Sequence, residues 1–142
     1  MNDRQLLNMQ KLIAAIPATE YVVDYATRLT RASRPGDESA PPFVSQYIDW
    51  GAGPRAGQYL IWAGKAFAAM DGRFAVSLDD LRKAAVPVMR HRLAPNFAAQ
   101  AEGLDSVKLV RMLLEHVPEP EINKYEDKPK RPKTVETVDE NP

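Results

Sequence analysis

A guanidinium in the first turn of a helix opposes the helix dipole, whose positive end is already there. Arg55 is predicted in that position, within Gly51-Ala-Gly-Pro-Arg-Ala56. The two glycines allow a sharp turn and close backbone approach, and Pro54 suits the first helical position. A cation held against its local preference on a preorganised turn is suited to reading an anion. Guanidinium matches phosphate oxygens bidentately. The plainer reading is a surface arginine after a glycine-rich turn, and the local pattern leaves both open.

A second basic group, Arg90-His91-Arg92, offers either a contact surface or a solvated helix end, where cations are favourable. Asp79-Asp80 are adjacent carboxylates, but Ser77-Leu-Asp-Asp80 reads as a capping box that opens a helix. Self-contained catalysis finds little support. Gly64-Lys65 lacks the upstream glycine and the following Ser/Thr of a P-loop, and no HExxH, EF-hand loop or nucleophile elbow occurs. There are no cysteines, and only His91 and His116, so thiolate and multi-histidine metal sites are excluded and no metal is expected.

The elements that must position these residues read as helices. Asp3 is expected to cap a helix over 4–16, with Leu6, Met9, Ile13 and Ile16 as its apolar stripe. Thr19 caps a second helix to about Arg34, burying Val22, Ala26 and Leu29. Residues 35–53 lack helical periodicity and read as a loop, in which Phe43 to Ile48 is either a short strand or a helical turn. A third helix runs from Pro54 to Met70, with Ala56, Tyr59, Leu60, Ala63, Phe67 and Met70 inward. The fourth starts after Ser77, is kinked or divided at Pro87 and continues through Arg92. Asp105 caps a fifth, with Val107, Val110, Leu114 and Val117 inward. Trp50 and Trp62 are expected to pack, and His116 to be partly buried. The fold class is all-α, a bundle of about five helices.

The 142 residues carry 19 basic and 19 acidic side chains, and zero net charge argues against a phosphate-driven nucleic-acid binder. Composition changes near Pro118. Residues 121–142 hold few large apolar groups and three prolines, and read as a disordered tail beyond a domain at 3–120. No apolar run approaches a membrane span, and the charged start is unlike a signal peptide. A cytoplasmic protein is expected.

Several motifs in order resemble one family. Gly51-Ala-Gly-Pro-Arg-Ala-Gly-Gln-Tyr-Leu60, the alanines at 63, 66 and 68, Asp71-Gly-Arg73, Val76-Ser-Leu-Asp-Asp-Leu81 and Arg90-His-Arg-Leu93 look like the C-terminal lid of MoxR-type AAA+ ATPases. Val22 to Arg34 resembles the segment before the loop, so the likeness spans roughly residues 3–118. Gly53 departs from the family's usual serine. The resemblance implies that Arg55 is the second-sensor arginine, catalytic only with the core, and that Gly51, Gly53 and Arg55 adjoin the nucleotide. ATP and Mg would be bound through an ATPase core that this sequence lacks, so the chain alone should bind ATP weakly or not detectably and should be inactive. Arg90, His91 and Arg92 become interface candidates. The implied partners are the core, further copies in a ring and an unidentified client that is remodelled. Two other readings stay open: a stand-alone helical interaction adaptor, and a helix-turn-helix DNA binder using Arg28, Arg31 and Arg34. The second is disfavoured by the charge balance.

Overall fold

The computed structural model describes residues 2–121. The described part contains seven helices and one two-stranded sheet: α1 (Asp3–Ala15), α2 (Glu20–Ala32), α3 (Pro42–Tyr47), β1 (Ile48–Trp50), α4 (Pro54–Met70), α5 (Leu78–Met89), β2 (Ala94–Pro95), α6 (Phe97–Ala101) and α7 (Ser106–His116). The all-α class holds, with two short helices and a β-ladder beyond the five helices expected. The tail expected at 121–142 lies, except for Glu121, outside the described residues.

Side-chain caps set the helix starts. Thr19 and Asp105 accept from Val22 N–H and Lys108 N–H. Ser77 and Asp80 make the reciprocal box. Asn2, rather than Asp3, caps α1, because its side chain and that of Gln5 exchange bonds with each other's backbone.

The core lies between α2, α4, α5 and α7, where Tyr25, Leu29, Leu60, Leu81, Met89, Leu109 and Leu113 are fully buried. Each buried leucine contributes roughly 2 kcal/mol of apolar transfer. The buried face of α4 is Ala56, Leu60, Gly64 and Ala68, whereas Tyr59 and Met70, expected inward, are exposed. Gly64 explains the rotation. A Cβ there would lie 2.8 Å from Val76 Cγ1 and 3.1 Å from Leu81 Cδ1, so the missing side chain lets α5 approach. The face turned inward is the one that permits the closest contact. In α1 only the end of the expected stripe is covered: Ile16 is buried, while Leu6 and Met9 are exposed. Along α7 the inward residues are Leu109, Val110 and Leu113, with Val117 just beyond.

Helix α5 runs through Pro87 as one helix. Lys83, whose carbonyl loses its partner, and Pro87 share an exposed face, where water can serve that carbonyl. The helix stops at Met89 rather than continuing through Arg92. Ala94 precedes Pro95 and is confined to extended backbone, and it pairs there with Trp50 while Pro95 pairs with Ile48. Asn96 tightens this ladder: its N–H donates to Tyr47 O at 2.9 Å and its side-chain amide to Gln46 O at 2.8 Å.

Candidate functional site

The turn before α4 is stitched to the end of α2. Ala52 N–H donates to Ser33 Oγ at 2.9 Å, and that hydroxyl donates to Thr30 O at 2.7 Å. Arg34 Nε donates to Ala52 O at 2.9 Å. Ser33 and Ala52 are completely buried. Gly51 is required by this approach, since a Cβ would lie 2.2 Å from Ser33 O and 2.6 Å from Arg34 Cα. Gly53 is not required in that way: nothing lies within 4 Å of its would-be Cβ, and its φ of −78° suits any residue. The usual serine would fit.

Pro54 then begins α4, and Arg55 follows in its first turn. Arg55 is exposed and, among the described residues, has no hydrogen-bond or ion-pair partner. No acidic residue occupies that turn. The result is a fixed backbone bearing an uncommitted guanidinium, able to contact an anion without first breaking an ion pair.

The second basic group comes to the same end of the molecule. The β1–β2 ladder brings the strand just after Arg92 beside the strand just before Gly51. The Arg92 guanidinium lies over the Tyr59 ring, 5.0 Å from its centroid, and Tyr59 is one helical turn beyond Arg55. His91 Nε2 touches Arg92 Nη1. Arg90, at the C-cap of α5, and His91 are exposed.

At the opposite end of α4, Arg73 clasps Asp80. Its two Nη atoms lie 2.5 and 2.9 Å from the carboxylate oxygens, and one also reaches Asp71 at 2.9 Å. Burial raises the Asp80 pKa, but the Arg73 bonds and those from the Ser77 backbone and hydroxyl outweigh it and hold the pKa at about 2. Arg73 is correspondingly held in its charged form by Asp80, then Asp71. This clasp fixes the link between α4 and α5. The capping reading of Asp80 holds, and the clasp adds to it.

Sequence reasoning missed Ser33, Arg34 and Tyr59. Ser33 and Arg34 closed the family-like segment before the loop, but nothing local tied them to a turn 18 or 19 residues later. Trp50, expected to pack, is 76% exposed. Trp62 is half exposed, with Lys65 Nζ 5.6 Å from its ring centroid. His116 is exposed, its ring edge-on to Phe43 at 5.1 Å and its Nδ1 2.8 Å from Met112 O.

The AAA lid domain family matches residues 43–113, from α3 through the site to α7. The chain belongs to this family. It is a lid domain of the MoxR type. It is 29% identical over 123 residues to Chaperone MoxR1 of Mycobacterium tuberculosis, covering 87% of this chain and 33% of that protein. Protein MoxR of Paracoccus denitrificans is 34% identical over 86 residues, 59% of this chain and 25% of that one. A crystal structure of a Cytophaga hutchinsonii protein described as an ATPase superposes with a TM-score of 0.77 at 26% identity, covering 83% of this chain and 36% of that one. The lid thus spans a quarter to a third of its curated relatives. Among its described residues no helix is long and apolar enough to cross a membrane.

Proposed function

We propose that this lid senses the nucleotide of a MoxR-type AAA+ ATPase, with Arg55 contacting the phosphates of ATP held by a P-loop core. The observation that carries this reading is Arg55 itself: exposed, without a partner among the described residues, and mounted on a turn that Ser33, Arg34 and Gly51 fix. These residues suit phosphate. Mg, which is usually held by one or two carboxylates together with the phosphates, is assigned in this reading to the core. The lid supplies positive charge toward the transferring phosphoryl group and couples the presence of that group to its own angle on the core. Ring assembly and chaperone-like remodelling of a client follow from membership of such an ATPase. Gly51 acts as a close-packing residue beside the phosphate site, and Gly53 leaves the helix N-terminus open.

The test is turnover of the ATPase that carries this lid. Arg55→Ala should reduce it sharply, by up to about 10³ if Arg55 acts on the phosphoryl group in flight. Arg55→Lys should recover part, since a point charge lacks the fork. The isolated lid should melt within about 0.5 kcal/mol of wild type. Unchanged turnover in Arg55→Ala would remove the sensing role, and a melted lid would make Arg55 structural.

A further inference from the structure

We infer that Arg92 is a second anion-binding arginine that acts with Arg55, and that Tyr59 is the platform positioning it. The inference rests on the phosphate-contacting reading of Arg55 and extends it to the class of ligand: a polyphosphate chain, with oxygens on more than one phosphorus, rather than a single small anion.

Three observations meet here. The first is placement. The Trp50–Ala94 pairing ties the two segments together. Arg92 precedes β2 by two residues and Arg55 follows β1 by five. The Arg92 guanidinium covers the ring of Tyr59, on the turn of α4 next to Arg55. The Arg92 guanidinium is therefore placed over a residue one helical turn along α4 from Arg55, so the two side chains can reach phosphates of one chain.

The second is the distribution of uncommitted charge. Of the ten arginines among the described residues, Arg28, Arg31, Arg73 and Arg82 pair with carboxylates, and Arg34 donates to Ala52 O. The other five, Arg4, Arg55, Arg90, Arg92 and Arg111, have no carboxylate partner among the described residues. Three of these five, Arg55, Arg90 and Arg92, lie at this end of the α4–α5 hairpin, while Arg4 and Arg111 lie in α1 and α7.

The third is orientation. A guanidinium stacked on a ring keeps its N–H edge free, since the attraction comes from the ring face. Stacking reduces the rotamer freedom of a long side chain without using its donors. The Arg92 guanidinium lies over the Tyr59 ring, 5.0 Å from its centroid, and the residue is half-buried while Arg55 is exposed. His91 Nε2 faces Arg92 Nη1 and accepts a hydrogen bond from it in the neutral tautomer protonated at Nδ1, leaving the other edge for a ligand.

The experiment uses this chain at about 0.1 M ionic strength, where exposed charges are felt to only roughly 10 Å. Inorganic tripolyphosphate is titrated while the arginine side-chain N–H signals are followed by NMR. The Arg55 and Arg92 signals should move together and saturate. Arg92→Ala and Arg55→Ala should each weaken binding roughly threefold or more, as expected for an exposed charge-assisted contact. Arg111→Ala removes the same charge elsewhere and should leave affinity within about 1.5-fold. Tyr59→Leu should weaken binding and Tyr59→Phe should restore it, since the ring face is what holds Arg92. Four results overturn the inference: no saturable binding, an Arg111→Ala loss as large as that of Arg92→Ala, no loss in Tyr59→Leu, or no loss in Arg92→Ala. In the last case a persisting loss in Arg55→Ala would leave the reading of Arg55 standing. A loss of ATPase turnover in Arg55→Ala would do so as well.

Discussion

Replacing Gly51 by alanine should damage the lid far more than any change at Gly53, although both glycines sit in one six-residue motif. The added Cβ would meet Ser33 O at 2.2 Å and Arg34 Cα and Ser33 C at 2.6 Å. All three are backbone atoms and cannot swing away, so the turn must retreat by roughly 1 Å to reach ordinary contact. That retreat stretches the Ala52–Ser33 and Arg34–Ala52 bonds. An unmade buried bond costs about 1–3 kcal/mol, and overpacking costs about the same again. Some relaxation leaves a net loss of about 2–4 kcal/mol. Gly53→Ser meets nothing within 4 Å and adds a side chain favoured at an N-cap, so stability should stay level or rise by a few tenths of a kcal/mol. Urea unfolding followed by far-ultraviolet circular dichroism and tryptophan fluorescence measures both, and Trp50 beside the turn reports directly. A Gly51→Ala protein within about 0.5 kcal/mol of wild type would show that the turn is not jammed against α2, and the argument for a fixed Arg55 would fail with it.

Asp80 should make stability depend on pH. Its folded pKa of about 2 lies below the ordinary 3.8, so its contribution is complete above about pH 4 and is lost as pH falls toward 2. After allowance for screening at Arg73, which is 38% exposed, the loss should be about 1–2 kcal/mol. Urea midpoints measured across that range should show it, and Asp80→Asn should remove its share of the slope, the remainder belonging to groups such as Asp37, whose pKa Ser39 and Arg31 also hold at about 2. Gly64→Ala sets a helix-propensity gain of about 1 kcal/mol against crowding of Val76 and Leu81. A net loss near 1 kcal/mol is expected. A double-mutant cycle with Val76→Ala should show favourable coupling, and strict additivity would refute the contact.

The parts legible in the sequence were those decided within a few residues. Thr19, Ser77 and Asp105 mark helix starts because a cap acts three residues away. Arg55 stood out because a cation in a first turn is locally unfavourable. Other features depend on distant neighbours. Which face of α4 turns inward follows from the depth of contact at Gly64, whereas side-chain size pointed to Tyr59 and Met70. Helix α3 was legible only as a choice between a short strand and a helical turn at Phe43 to Ile48, while α6 and the strand pairing escaped notice, because elements of two to six residues carry almost no periodicity. Arg90-His91-Arg92 reads as helix until Pro95 is given its due: the proline confines Ala94 and pulls the chain out toward β1. The bond from Ser33 to Ala52 crosses 19 residues, and no local pattern encodes it.

The tight seam between α4 and α5 has a mechanical consequence. Gly64 lets the two helices touch, and the Arg73–Asp80 clasp closes their far end, so the hairpin is stiff along its length. Its 17-residue helix is about 25 Å long at 1.5 Å per residue. With the Arg55 end as fulcrum, a tilt of roughly 10° carries the other tip through about 4 Å. That tip presents Met70 and Phe74, 80% and 89% exposed, beside a 610 Å³ cavity lined by Leu12, Ile16, Ala69 and Phe74. If, as proposed, an anion at Arg55 sets the angle of the lid, a small displacement there would become, at the other end, a stroke longer than the reach of an apolar contact.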